Sequence, residues 1–374
     1  MSGHVVEVEA TDGTARVGRV VTPRGSFPVP AFMPVGTRGS VRALSAADLD
    51  DLGPPVVLAN TYHLMLRPGA EVVRDLGGLH RFSGWDGHTL TDSGGYQVFS
   101  LAPKVDEEGA TFRSTYDGSR HRLTPEGAVA VQADLGADVQ MVLDICPGLP
   151  APDRVVREAA ERTARWAERG RAAFTARDGQ PAAGGVHQAQ YGIVQGGVDP
   201  ALRADSARWT TDVGFDGYAV GGLSVGESRD QMLPALAAAV GGLPAERPRY
   251  LMGVGDPASI VEAVALGVDM FDCVLPTRLA RHGTLLTDTG RLNLRQARYL
   301  RDPGPIDPAC PCPVCARWSR GYLRHLLQVG EPAAARLLTL HNVAWLLRLV
   351  ERTAAAVRAG GLAAWRAEVL AVWG

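Results

Sequence analysis

The chain has 374 residues, enough for one large domain or two of ordinary size. Hydrophobic residues make up 46% of it and charged residues 21%, a balance that excludes an intrinsically disordered protein. The formal net charge of -2 excludes a strongly basic nucleic-acid binder but leaves room for a local basic face.

The N-terminus has no signal-peptide pattern, and no apolar run approaches the length that a bilayer span requires. We therefore expect a cytoplasmic protein with no membrane partner. Thiols stay reduced in that compartment, so the five cysteines should be free or bind metal rather than form disulfides.

Residues 1–28 alternate valine and alanine with polar residues, a pattern typical of short antiparallel strands that cap a fold. From residue 31 onward, short apolar runs alternate with stretches of helical period. The eight candidate strands are 31–35, 56–60, 88–92, 139–144, 191–195, 217–221, 249–253 and 270–275.

Helix signals separate these runs. Ser45 predicts the N-cap of a short helix, and Thr124 followed by Pro125 predicts the start of another that ends at Gly136. Helical periodicity also marks residues 152–176, 200–212, 228–241, 256–267 and 332–358. Strand–helix alternation implies a parallel sheet, and eight repeats favour an α/β fold of the (β/α)8 TIM-barrel type.

Two segments interrupt the alternation. Residues 98–122 are predicted to form a hairpin inserted after the third strand, and residues 283–320 contain glycine, proline and cysteine without a long helical period. We predict a zinc-binding insertion, about 283–345, between strand 8 and the closing helix. No linker divides the chain, so residues 1–374 are predicted to form a single TIM-barrel catalytic domain.

The carboxyl ends of barrel strands converge on the face that carries the active site. Asp272 lies inside the eighth strand between Phe271 and Cys273, where a carboxylate is costly to bury unless something pairs with it or uses it. Other polar or soft side chains near strand ends are Asp92, Asp144, Gln195 and Met252. Paired carboxylates suit chemistry at the anomeric carbon of a sugar, although Asp92 and Asp144 are equally compatible with helix N-capping.

Three Gly-Gly pairs, at 94–95, 196–197 and 221–222, follow three of the strands. Any one pair is more often a simple turn, but three together suggest a flat ligand held between backbones. Tyr96, directly after the first pair, offers a ring for stacking.

Arginines follow the eighth strand. Arg278 and Arg281 lie just beyond Pro276, which we interpret as terminating the strand in a loop, and they are predicted to hold a polyanion. A second group near the insertion is either a solvated face or a set of phosphate contacts: Arg291, Arg295, Arg298 and Arg301.

Cys310, Cys312 and Cys315 form a C-x-C-x2-C motif. Three thiolates and one imidazole make a closed tetrahedral zinc site, which is structural rather than catalytic. His341 on the closing helix and His325 are both possible fourth ligands on spacing alone. Two further cysteines, Cys146 and Cys273, are interpreted as pocket-lining or core thiols.

Taken together, these motifs resemble the bacterial tRNA-guanine transglycosylases (queuine tRNA-ribosyltransferases) over nearly the whole chain. The resemblance is carried by NTYHL at 60–64, TDSGGYQ at 91–97, GIVQGG at 192–197, AVGGL at 219–223, YLMG at 250–253, FDC at 271–273 and the cysteine set with its histidine. It implies a zinc-bearing TIM barrel that exchanges guanine at the wobble position of GUN-anticodon tRNAs for 7-aminomethyl-7-deazaguanine (preQ1). Those tRNAs carry aspartate, asparagine, histidine or tyrosine.

The resemblance also implies roles for individual residues. Asp272 matches the nucleophile that attacks ribose C1′ in a covalent double displacement, and Asp92 matches the general acid/base. The residues that match the base-binding site are Asp144, Gln195, Ser93, the Gly222 amide and the Leu223 carbonyl, with Tyr96 and Met252 as walls. Arg278 and Arg281 match tRNA contacts. One structural Zn2+ per subunit is implied at Cys310, Cys312, Cys315 and His341, in preference to His325.

The chain departs from the family pattern at a few positions. Ile145 stands where a glutamate is common. Leu279 and His282 stand in a loop that often has asparagine, so we expect the fine anticodon contacts to differ from the family pattern. Cys146 and Val225 are bulky beside the expected base, which favours preQ1 over queuine.

The resemblance further implies a homodimer. Trp318, Tyr322 and His325 are spaced to share one helix face, which either packs in the core or forms the interface together with Phe82. The rival functions are a non-catalytic RNA-binding paralogue, an archaeosine-type enzyme and a retaining glycoside hydrolase. The presence of Asp272 counts against the paralogue, and the cysteine cluster counts against the hydrolase. Archaeosine-type enzymes carry an added C-terminal RNA-binding domain, which we do not expect here.

Overall fold

Eight parallel strands form a closed barrel in the computed structural model, which describes residues 4–177 and 179–374. The eighth strand pairs in parallel with the first and closes the barrel. In chain order, barrel strands one to eight are Ala31–Gly36, Val56–Ala59, His88–Thr91, Val139–Met141, Ala189–Val194, Gly217–Val220, Arg249–Leu251 and Met270–Cys273. The (β/α)8 fold predicted from the sequence is therefore confirmed.

Helices surround this barrel, so its strands are buried on both faces and consist of near-continuous apolar runs. The helices up to the eighth strand are Ala46–Leu52, Thr61–Leu64, Ala70–Asp75, Gly78–Ser83, Gly95–Phe99, Pro125–Leu135, Asp153–Thr175, Pro200–Val213, Arg229–Gly241 and Pro257–Ala265. A π-helical turn spans Met65–Gly69, and a 3-10 turn spans Ala183–Gly185.

The capping predictions at Ser45 and Thr124 are confirmed, since both side chains accept backbone N–H groups of the following turn.

Three strands at the N-terminus, Val5–Asp12, Ala15–Thr22 and Gly25–Val29, form an antiparallel sheet. The third leads directly into the first barrel strand, so this sheet lies at the amino end of the barrel, away from the predicted active site.

Two local predictions were wrong in detail. The segment after the third strand is a three-stranded antiparallel sheet rather than a hairpin, because Lys104–Val105 adds a short strand to Ala110–Arg113 and Arg120–Leu123. The predicted loop after the eighth strand is the helix Leu275–Arg281. Pro276 lies in its first turn, where the missing N–H group has no partner to lose.

The insertion after the eighth strand has a small apolar core of its own. It contains the antiparallel hairpin Thr284–Thr287 and Gly290–Asn293, the 3-10 turn Ala297–Tyr299, and the helices Pro313–Arg317 and Arg320–Val329. Trp318 precedes the second of these helices, so the predicted aromatic stripe begins outside it.

The closing helix Pro332–Arg358 packs its first half on the insertion, through residues such as Leu338. Its second half packs on the barrel, through residues such as Leu346, and the helix Leu362–Trp373 follows it. No helix in the described ranges combines the length and apolarity that crossing a membrane requires.

Candidate active site

A cavity of about 390 Å³ opens at the carboxyl ends of the barrel strands. The residues predicted from the sequence that line it are Asp92, Ser93, Tyr96, Asp144, Gly222, Leu223, Met252, Asp272 and Arg278. Gln195 lies behind Asp144 and contacts it, whereas Arg281 is exposed on the same helix as Arg278. The fold thus collects residues from six separate strand ends in one place.

Asp272 is held through one of its two oxygens. Its Oδ1 accepts hydrogen bonds from the Tyr250 hydroxyl, at 2.5 Å, and from the Gly253 amide, at 2.7 Å. No donor in the part of the chain that the structure describes reaches Oδ2, which is free to meet a ligand. Burial raises the pKa of Asp272, and the two hydrogen bonds act in the opposite direction.

Tyr250 can hold the Asp272 carboxylate because its hydroxyl stays a hydrogen-bond donor. Burial, followed by the neighbouring Asp272 carboxylate, raises the pKa of the Tyr250 phenol well above its ordinary value. The hydroxyl therefore remains protonated at neutral pH and orients the carboxylate of Asp272.

Asp92 is held more completely than Asp272. Its Oδ1 accepts the amides of Thr61, at 2.8 Å, and Gly94, at 3.1 Å, while its Oδ2 accepts the side-chain amides of Asn60 and of Gln97, the latter at 3.2 Å. Burial nevertheless raises the pKa of Asp92 to about 6, because desolvation outweighs these four donors. A carboxyl group with that pKa exchanges a proton readily near neutral pH.

Asp144 is a buried acceptor at the end of the fourth strand. Its Oδ2 accepts from Nε2 of Gln195, at 2.7 Å, and its Oδ1 accepts from the Ser93 hydroxyl, at 3.3 Å. Burial raises its pKa to about 6. Oε1 of Gln195 is buried without a partner among the residues described, so the site keeps an unused acceptor beside the carboxylate.

The three Gly-Gly pairs have different roles, and the interpretation of three ligand slots is wrong. Gly221-Gly222 lines the cavity, and a Cβ on Gly222 would lie 2.3 Å from Oε1 of Gln195. At Gly95 a Cβ would meet Oδ1 of Asp144 at 2.8 Å, so this glycine makes room for a side chain rather than a ligand. At Gly197 a Cβ would meet Val156 at 2.9 Å, outside the cavity.

The loop that follows Leu223 is shaped by Glu227. Its carboxylate accepts the backbone amides of Ser224 and of Val225, the latter at 3.0 Å. Ser224 has a φ of 67°, a left-handed conformation that non-glycine residues rarely adopt. Cys146 and Val225 both line the cavity here.

Basic side chains lie on one side of the cavity. Arg278, on the helix after the eighth strand, lines it together with Arg291 from the hairpin of the insertion. The buried Asn342 joins these two elements, because its Nδ2 donates to the carbonyls of Pro276 and Thr284 and its Oδ1 accepts the Leu286 amide.

Cys310, Cys312, Cys315 and His341 form a compact donor cluster, with all four ligand atoms within 4.8 Å of one another. Nδ1 of His341 lies 3.3 Å from Sγ of Cys315 and 3.5 Å from Sγ of Cys312. Its Nε2 donates to the Leu286 carbonyl at 2.8 Å, so Nδ1 is left to face the sulfurs as an acceptor or ligand. Three thiols and one imidazole fit a closed tetrahedral metal site, and His325 is exposed and lies outside this cluster.

Several site residues were not assigned a role from the sequence. Asn60 and Gln97 lie within recognised motifs. The contact of Asn60 with Asp92 depends on the pairing of the second and third barrel strands, and that of Gln97 on the turn into the helix Gly95–Phe99. Tyr250 and Glu227 act through a neighbour rather than on a ligand. Arg203, in the first turn of the helix Pro200–Val213, has no sequence signal that separates it from a solvent-facing arginine.

The chain is similar to known proteins over almost its full length. The sequence model of the family described as "Queuine tRNA-ribosyltransferase" matches residues 11–374. A queuine tRNA-ribosyltransferase of Solidesulfovibrio magneticus is 51% identical over 364 residues, covering 97% of this chain and 96% of that protein. Proteins with the same name from Novosphingobium aromaticivorans and Desulforudis audaxviator are 51% and 52% identical, over 97% and 92% of this chain and 96% and 91% of their own lengths.

Proposed function

The chain belongs to the queuine tRNA-ribosyltransferase family, and from this membership we propose that it is a pentosyltransferase that exchanges guanine in tRNA during queuosine synthesis. More specifically, it replaces guanine at the wobble position of GUN-anticodon tRNAs with preQ1. The observation that carries the proposal is that Asp272 and Asp92, which match the family's two catalytic carboxylates, line the same cavity.

The reaction begins with attack by Asp272 on ribose C1′. A C–O bond forms between its free Oδ2 and C1′ while the C–N bond to guanine breaks, and the electron pair leaves with the base. The hydrogen bonds from Tyr250 and Gly253 to Oδ1 keep Oδ2 directed at the sugar. The incoming base then attacks C1′ and releases the carboxylate, so two inversions retain the configuration.

Asp92 is the general acid and base of the reaction. In its neutral form it donates a proton to the departing guanine, and as a carboxylate it accepts the proton that preQ1 loses on forming its glycosidic bond. Its pKa of about 6 keeps both forms accessible at neutral pH. The amide donors around it hold the group in place in both forms.

Base recognition follows from the acceptors at the end of the cavity. Asp144 accepts the ring N–H and exocyclic amino group of a guanine-like base, which adenine cannot supply in the same arrangement. The Gly222 amide donates to the base carbonyl, and the Leu223 carbonyl accepts from the aminomethyl group. Tyr96 and Met252 cover the two faces, and the bulk of Cys146 and Val225 favours preQ1 over the larger queuine.

The RNA and the metal lie to one side of this cavity. Arg278 and Arg281 bind the anticodon strand, and the target base must leave its stack to enter the cavity. Zn2+ is the metal that a Cys3His set of this kind selects, and when bound it supplies structural stability to the insertion. The residues that would hold it are Cys310, Cys312, Cys315 and His341.

The decisive experiment measures incorporation of labelled guanine into unmodified tRNA with a GUN anticodon, with preQ1 and queuine as competitors. Incorporation that preQ1 blocks at lower concentration than queuine supports the proposal. A tRNA in which the wobble guanine is replaced by adenine is the matched control. Equal incorporation into that control, or none into either tRNA, contradicts the proposal.

We also propose that the protein acts as a homodimer through the surface of Tyr322 and His325, with Trp318 beside it. Tyr322 is 45% exposed, so its ring is accessible to a partner, and tyrosine is enriched at protein interfaces. Sedimentation of the Tyr322→Glu variant tests this assignment, since a charge at the centre of an interface should give monomers. An unchanged sedimentation coefficient would remove this surface from consideration.

A further inference from the structure

Arg203 is a buried cation without an acidic partner in the described part of the chain. Its side chain is fully buried, on the helix Pro200–Val213. Its guanidinium donates to four backbone carbonyls: Gly221 at 2.7 Å, Gly197 at 2.8 Å, Val194 at 2.9 Å and Gly222 at 3.1 Å. Burial lowers its pKa to about 10, so it remains charged at neutral pH.

These four carbonyls belong to the two loops that read the base in the proposed function. Val194 and Gly197 flank Gln195 at the end of the fifth strand, and Gly221 and Gly222 follow the sixth. One side chain therefore fixes both loops relative to each other. The same helix contributes Ser206, whose hydroxyl accepts a hydrogen bond from the backbone N–H of Gln195 at 3.1 Å.

The contact with Gly221 also determines where the Gly222 amide points. In a planar trans peptide the carbonyl of one residue and the N–H of the next point in opposite directions. Because the Gly221 carbonyl is turned toward Arg203, the Gly222 N–H is turned away from it, on the side of the cavity that Gly222 lines. No acceptor in the described ranges takes that N–H, so it is available to a ligand.

Burying a charge in this way is unfavourable, and general packing does not require it. An aliphatic side chain would fill the space, and lysine would place three donors around a single nitrogen that cannot span four carbonyls. The planar fork of arginine matches the fixed spacing of the two loops. The choice of residue therefore points to alignment of the loops.

We propose that Arg203 is a positioning residue for base recognition, which aims the Gly222 amide and the Gln195 side chain at the incoming base. The proposal rests on the proposed function, because base exchange is the reaction it serves. It does not require Arg203 to touch the base, the tRNA or the metal.

The test uses the full-length variants Arg203→Met, which keeps the length of the side chain, and Arg203→Lys, which keeps the charge and is the milder change. We expect the KM for guanine and for preQ1 to rise about tenfold or more in both variants, while the KM for tRNA stays within about twofold. Arg208→Met is the matched control, since Arg208 is exposed on the same helix, and its KM values should be unchanged.

A purely structural role predicts a different result. Loss of general stability would lower the active fraction, and with it the apparent kcat, without separating the two KM values. Equal changes in both KM values, or wild-type kinetics in the folded Arg203→Lys variant, overturn the proposal. Thermal melting of each variant confirms that the comparison is made on folded protein.

A second arm does not depend on turnover. Calorimetric titration of preQ1 into the wild type and the Arg203→Lys variant should show about tenfold weaker binding in the variant. If the wild type binds preQ1 but does not exchange guanine in tRNA, the proposed function is wrong. The comparison of preQ1 affinities still tests whether Arg203 positions the base-binding loops. Equal affinities in the two proteins overturn the positioning role.

Discussion

The hydroxyl of Tyr250 donates a hydrogen bond of 2.5 Å to Oδ1 of Asp272. The two residues lie on the neighbouring seventh and eighth barrel strands, so the barrel itself sets their separation. Because the Gly253 amide binds the same oxygen, the two oxygens of Asp272 have different roles. Oδ1 anchors the side chain, and Oδ2 is the oxygen that attacks the ribose carbon in the proposed reaction.

The first prediction concerns Asp272→Asn. An asparagine Oδ1 accepts the same two hydrogen bonds, so the fold and the tRNA affinity should be kept, but its amide nitrogen is not a nucleophile. We expect guanine exchange to fall by at least about a thousandfold, as is typical when a catalytic nucleophile is removed. Exchange is measured with labelled guanine and tRNA binding by gel shift. Substantial exchange by this variant would rule out Asp272 as the nucleophile.

The second prediction concerns Tyr250→Phe. In the proposed reaction Asp272 must be ionised to attack, so we expect activity to be lost as the pH falls through its pKa, which burial has already raised. The Tyr250 hydroxyl opposes that rise, and its removal should raise the pKa of Asp272 further. The acid limb of kcat/KM against pH is therefore expected to move to higher pH. Tyr96→Phe, which removes a hydroxyl from the cavity without touching Asp272, should leave that limb in place.

The third prediction concerns Asp144→Asn. Asparagine keeps an acceptor for Gln195 and a partner for Ser93, but it loses the carboxylate that we assign to the base. We expect kcat/KM for guanine to fall by about tenfold to a hundredfold, with the KM for tRNA little changed. An unchanged kcat/KM for guanine would show that Asp144 does not read the base.

The same variant has a consequence for stability. The pKa of Asp144 is about 6 in the folded protein against an ordinary 3.8, so its contribution favours folding below pH 3.8 and is lost as the pH rises through 6. This difference amounts to roughly 3 kcal/mol for the single group. Urea unfolding of Asp144→Asn should therefore show a smaller decline in the free energy of unfolding across that pH range than the wild type shows.

The fourth prediction concerns the donor cluster of three cysteines and His341. Cys312→Ser replaces a thiolate with a poor ligand, and we expect loss of bound zinc and a lower yield of soluble protein. Elemental analysis measures the metal and thermal melting measures the stability. His325→Ala and Cys146→Ser are the controls and should keep full metal content. Full zinc occupancy in Cys312→Ser would contradict a closed four-ligand site.

The fifth prediction concerns the basic side of the cavity. The double variant Arg278→Ala, Arg281→Ala removes two cations, so tRNA affinity should fall, and the slope of log affinity against log salt should decrease by about one to two. The KM for the free base should hardly change. Arg19→Ala, on the sheet at the opposite end of the barrel, is the control. An unchanged salt slope in the double variant would place the RNA elsewhere.

Much of this arrangement could be predicted from the sequence because each strand carries its own evidence. A barrel strand buried on both faces must be an apolar run, and a carboxylate within or after such a run, as at Asp272, stands out against its neighbours. The cysteine motif is equally local. These signals need no knowledge of what lies across the barrel.

What could not be predicted depends on partners that are distant in the chain. Arg203 has the sequence context of any helix arginine, and only the folded loops supply the four carbonyls that make its burial tolerable. A proline such as Pro276 is typical of the end of a strand, yet the same residue is favourable in the first turn of a helix. In both cases the local pattern is compatible with two structures, and tertiary contacts decide between them.

The contacts of Asn342 and His341 have a consequence for protein engineering. These consecutive residues of the closing helix bind backbone groups of the hairpin and of the helix Leu275–Arg281, and the other end of the closing helix completes the barrel. Excising the insertion that carries the three cysteines of the cluster would strip several buried polar groups of their partners, at about 1–3 kcal/mol each. The insertion is therefore not a transplantable module, and a chimaera between relatives must exchange the hairpin and both helices as one unit.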